Sequence, residues 1–137
     1  MSIRRAASWL HLVLAVAVAL AVFVQVYLIG AYIFGAGPGA LDAHRTVGFT
    51  AHGLEVLIAL VALGAWLPKA DVGLSFLLAA IGTVQVALAS ATRWAGGLHP
   101  LGALVVLVLA TQLARRGHRR LRGLPRVVRG ERIGVGS

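Results

Sequence analysis

Apolar positions gather into four long runs along this chain, and polar positions gather between them. The runs cover residues 8–34, 43–67, 73–92 and 98–114. A membrane-crossing helix needs about 20 apolar residues, and each run comes close to that or exceeds it. Beyond its opening residues, the second run carries two ionisable positions, His52 and Glu55. The segments between runs are Gly35-Ala36-Gly37-Pro38-Gly39-Ala40, Pro68-Lys69-Ala70-Asp71 and Trp94-Ala95-Gly96-Gly97. Gly and Pro break helices and permit tight reversals, and short connections set neighbouring helices antiparallel. The pattern predicts an all-α membrane protein, with four transmembrane helices in an antiparallel up-down bundle over residues 1–116. A basic cytoplasmic tail over 117–137 is expected to follow. The first run is far longer than the roughly 7–15 apolar residues of a signal peptide, so it reads as a span.

Two stretches repeat. Val24-Gln25-Val26 is followed, after a turn, by His44-Arg45-Thr46-Val47-Gly48. Val84-Gln85-Val86 is followed, after a turn, by His99-Pro100-Leu101-Gly102. The two hairpins are expected as parallel repeats, related by an axis along the membrane normal.

Composition agrees with the membrane reading. The chain has 137 residues, 59% of them hydrophobic and 12% charged, against about 25% charged in soluble domains. There is no cysteine. That excludes disulfides, iron–sulfur clusters, thiolate zinc sites and haem attached covalently through Cys. The net charge of +9 is uneven. Arg4, Arg5, Lys69 and eight arginines from Arg115 to Arg132 fall on one side of the spans, and Arg45 and Arg93 on the other. Basic residues stay on the cytoplasmic side, so a multi-pass plasma-membrane protein with both termini cytoplasmic is expected. Trp9 and Trp66 fall at the inner interface and Trp94 at the outer one. The basic tail suits anionic lipids, worth about 1 kcal/mol per basic residue near the surface. It also suits docking to a larger membrane complex, and a homo-oligomer stays open. Nucleic-acid binding would need a folded reader, and none is present.

The histidines carry the candidate chemistry. His44 and His99 each open a run at the outer end, so they share a depth. His52 lies eight residues deeper, about 12 Å along a helix, and His11 lies near the inner end. Two axial ligands of one iron must share a depth, which singles out His44 and His99 for a b-type haem. Gly48 and Gly102 lie one turn beyond each histidine and leave room for a flat ring, or for plain helix packing. Arg45 and Arg93 suit haem propionates, or simply snorkel to the interface. The alternatives for the two histidines are an interfacial position without a ligand, another metal, or a quinone site. His52 and Glu55 share a face with His44 and Gly48. Ionisable groups inside a span signal function, so the pair either contacts the haem edge or passes protons. Otherwise it is a self-satisfied pair that fixes packing. Gln25 and Gln85 read as interhelical hydrogen bonders, and His11 as an interfacial residue.

From Asp42 to Arg116 the chain resembles one four-helix half of the haem A synthase family. In that family a His-Arg pair opens one helix and a second histidine opens another, and both ligate a b-type haem. The matching positions here are His44-Arg45 and His99. The family has two such halves, and the Glu it carries just before His-Arg has no direct match here; Asp42 is the nearest acid. The whole chain also resembles small actinobacterial four-helix membrane proteins of unknown function, and its Ala, Gly, Arg and Val content suits a high-GC bacterium. The resemblance implies haem binding, with electron transfer or haem handling beside a partner. The rival expectations are a cofactor-free accessory or assembly subunit, and a haem-modifying enzyme that uses His52 and Glu55.

Overall fold

The computed structural model describes residues 3–90 and 93–123. The apolar runs fold as α1 (Ile3–Ile33), α2 (Pro38–Gly64), α3 (Lys69–Ala89) and α5 (Leu98–Gly123), with a single turn, α4 (Arg93–Gly96), before α5. All four long helices are long and apolar enough to cross a membrane. A helix satisfies its backbone hydrogen bonds internally, which is what a segment of this apolarity would need in lipid.

The first two reversals use the same device. After α1, Gly35 N–H donates to Tyr32 O at 3.1 Å and Ala36 N–H to Ala31 O at 2.9 Å. After α2, Trp66 N–H donates to Leu63 O and Leu67 N–H to Ala62 O, both at 3.2 Å. These paired bonds cap the last carbonyls and need a left-handed residue at the bend. Gly35 supplies it at φ 93°, and Trp66 at φ 52°. Pro38 and Pro68 then launch the next helices, where a missing N–H costs nothing.

Both α1 and α3 pack on α2 and α5, so the long helices form a closed ring. Leu14, Val18, Ile58, Leu78, Ala110 and Leu113 are buried together at its centre. Outward positions such as Phe23, Leu60, Leu104 and Val108 are apolar and exposed, as expected of helices that are apolar all round.

The buried positions keep a fixed register. His11, Ala15, Val18 and Val22 in α1 each have a buried counterpart sixty positions on in α3: Asp71, Ser75, Leu78 and Gly82. Ala51, Glu55, Ile58 and Ala62 in α2 each have one fifty-five positions on in α5: Val106, Ala110, Leu113 and Gly117. Gln25 and Gln85 obey the first interval, and His44 and His99 the second.

Two features differ from the pattern of letters. Helix α5 continues past residue 114 to Gly123 and carries Arg115, Arg116, Arg119, Arg120 and Arg122 as helical positions. Its inward face stays apolar through Leu113, Gly117 and Leu121, so the basic residues ride on a packed helix. Arg126, Arg129 and Arg132 lie outside the described residues. His11 is fully buried, where the sequence suggested an interfacial place. Its Nε2–H donates to Ser75 Oγ at 3.0 Å, and Ser75 in turn donates to Asp71 O at 2.7 Å. Asp71, also buried, accepts from Arg116 Nε and, at 2.6 Å, from Arg120 Nη2. This network ties the starts of α1 and α3 to the end of α5.

Candidate functional site

At the other end of the ring, the end of α1 meets the start of α2, and the end of α3 meets the start of α5. His44 Nδ1 donates to Gln25 O at 3.1 Å, and His99 Nδ1 donates to Gln85 O at 3.2 Å. A carbonyl can only accept, so each Nδ1 carries a proton, and in the neutral ring that leaves the lone pair on Nε2. The two rings come together from different helices, with centroids 6.3 Å apart and planes inclined at 72°. Holding the far nitrogen on a backbone carbonyl is how proteins orient a ligating histidine.

The two glutamines complete the arrangement. A Cβ at Gly48 would stand 2.6 Å from Gln25 Nε2, and one at Gly102 would collide with the Gln85 amide. Each amide head therefore fills a notch that only glycine leaves open. Gln85 Nε2 also donates to His99 O at 2.7 Å. The Oε1 atoms of Gln25 and Gln85 are buried without a hydrogen-bond partner among the described residues. Leaving a buried acceptor unmet costs about 1–3 kcal/mol; His11 Nδ1 and Arg120 Nη1, at the other end of the bundle, are likewise buried without a partner among the described residues.

These observations bear on whether a haem fits. Two imidazoles bound to one metal through bonds of about 2.0 Å stand roughly 6 Å apart between ring centroids. The observed 6.3 Å agrees. The donors are two imidazole nitrogens, and the Gln25 and Gln85 amides on Gly48 and Gly102 border them. A porphyrin supplies its own four equatorial nitrogens, so it asks the protein for two axial ligands only. Among the described residues no three His, Asp or Glu side chains gather into a metal-holding group; a two-residue set is of a different kind.

The other predicted positions are placed as follows. Arg45 pairs with Asp42 at 3.3 Å on the exposed surface. The side chain of Arg93 lies outside the described residues. His52 and Glu55 are together, Nδ1 to Oε2 at 3.2 Å. They are not beside His44, which is two to three turns away on the same helix. Glu55 is 3% exposed, and its carboxylate sits where a Cβ of Gly82 would be. Sequence reasoning missed Gly82. The signal was present in the spacing of Asp71, Ser75, Leu78, Gly82 and Gln85, which puts all five on one inward face of α3.

No protein-family model, curated protein or solved structure matches the chain. The functional reading therefore rests on this geometry.

Proposed function

We propose that the chain is a membrane-embedded b-type haem protein that passes electrons or handles haem beside a partner. His44 and His99 are the axial ligands. The observation that carries the reading is the pair of imidazoles, each fixed through Nδ1 on a glutamine carbonyl, with centroids 6.3 Å apart. When bound, the haem supplies a one-electron couple. The protein's part is to hold two Nε2 lone pairs toward one centre and to keep water away. The amides of Gln25 and Gln85, seated on Gly48 and Gly102, border the same space, and these flexible side chains would swing aside to clear a ring.

The proposed architecture is an antiparallel bundle of two repeated hairpins. The matched burial intervals and the matched His–Gln bonds support it. A repeat suits this chemistry, because each copy offers one ligand to a shared centre. The uneven arginines support a plasma-membrane placement with both termini cytoplasmic. The positive end of α5 suits anionic lipids and a partner complex or second copy.

The test is stoichiometry. Chain expressed with ample haem and purified in detergent is expected to carry about one haem per chain, non-covalently and extractable into acid solvent, as ligation without Cys requires. Material without a Soret band under those conditions would end the reading.

A further inference from the structure

The matched interior is broken in its ionisable chemistry near the middle. Glu55 corresponds to Ala110, and Gly82 corresponds to Val22. On one side the Glu55 carboxylate rests on bare Gly82. On the other, Ala110 and Val22 belong to the apolar core. Bulk is exchanged across the pair, so a carboxylate was fitted into one half only.

The only titratable partner in contact with Glu55 among the described residues is His52, 3.2 Å away on its own helix. In the matched register Tyr27 on α1 and Arg115 and Arg116 on α5 stand five or six residues from the level of Glu55; Tyr27 and Arg115 are exposed and Arg116 is paired with Asp71. Beyond them, His11 on α1, Asp71 on α3 and His99 on α5 each stand eleven residues from that level. Eleven residues is about 16 Å of helix.

The two directions along the bundle differ. Toward His11 and Asp71 lie Val18, Ile58, Leu78 and Leu113, one from each long helix and all fully buried in one cluster. Toward His44 and His99 the interior first holds the smaller or less completely buried Val22, Ala51 and Val106, and beyond them Gln25 and Gln85 with their amides on Gly48 and Gly102.

We propose that Glu55 and His52 form a proton-exchange station serving the His44–His99 site, filled from that end and insulated from the Asp71 end. The proposal rests on the haem reading. One electron from a one-electron carrier enters the centre, and one proton from water joins the pair as an O–H or N–H bond. Negative charge added in a low-dielectric interior raises the cost of a nearby carboxylate, and proton uptake relieves it.

The test is the midpoint potential of the haem-loaded chain in lipid nanodiscs as pH is varied. In the wild type the potential is expected to fall as pH rises, by up to about 59 mV per tenfold drop in proton activity. Glu55→Gln should remove most of that slope while keeping the Soret band. Should Glu55→Gln fail to fold, His52→Gln should reduce the slope instead. His11→Gln and Ser75→Ala, beyond the apolar layer, should keep the wild-type slope. A flat wild-type profile, an unchanged slope in a folded Glu55→Gln, or a slope lost in His11→Gln would overturn the proposal. If the chain takes up no haem, the earlier reading fails, and infrared titration of the haem-free chain reads the station separately. A carboxyl band that titrates in the wild type and is missing in Glu55→Gln supports proton exchange; one that never titrates overturns it.

Discussion

Glycine 82 shows how much one missing Cβ decides. In an exposed helix interior, Gly→Ala stabilises by roughly 0.5–1 kcal/mol. Here the added methyl would collide with Glu55 Oε2 and stand 2.9 Å from His52 Nδ1. Gly82→Ala is therefore expected to destabilise, by about 1–3 kcal/mol, as seen in thermal unfolding in detergent. Glu55→Ala in the same chain should recover most of the loss, because the two residues share one space. Additive effects of the two changes would contradict that contact. Gly48→Ala should act differently. Its methyl meets the end of a flexible glutamine, 2.6 Å from Gln25 Nε2, so the amide can swing aside at small cost in stability. These glycines were only partly legible in the letters. Gly48 and Gly102 stood out beside the histidines, but Gly82 lay in an apolar run with nothing to mark it until its helix face was known.

At the scale of elements, the caps and the ends carry the argument. Trp66 holds a left-handed bend at φ 52°, where a Cβ costs roughly 1–2 kcal/mol. Trp66→Gly is expected to raise the unfolding temperature if the bend alone decides. An unfolding temperature that falls instead would show that the exposed indole anchors the turn in its surroundings. Asp71 joins α3 to α5 through Arg116 and Arg120. Asp71→Ala should cost about 2 kcal/mol or more, since hydrogen bonds to charged groups are worth about 1.5–3 kcal/mol. Thermal unfolding with and without the change measures it. The apolar runs revealed the four long helices because lipid-facing and core-facing positions are both apolar. They ended the last helix too early, at residue 114, because charge marks where a span stops and not where a helix stops. The arginines beyond that point sit on a helix whose inward residues, Gly117 and Leu121, remain buried. His11 was misplaced for a related reason: depth could be read from the sequence, but the side of α1 it faces could not.

For the whole molecule, the two ends of the bundle do different work. One end is a lattice of ion pairs and hydrogen bonds around Asp71 that fastens three helices. The other end brings two histidines together without any ion pair between them. The four buried residues Val18, Ile58, Leu78 and Leu113 lie between. The sequence carried the choice of histidines, since the repeat and the charge asymmetry together place His44 and His99 at one depth. It could not carry their separation or the carbonyls that hold them, because both depend on how the helices rotate against each other. The most direct measurement is the low-temperature electron paramagnetic resonance spectrum of the ferric, haem-loaded chain, read beside its His44→Ala and His99→Ala variants. The account predicts a low-spin signal of the strongly anisotropic kind that steeply inclined imidazole planes give, converted to high spin or lost with the haem in both variants. A high-spin wild type, or a low-spin signal that survives in either variant, would contradict it.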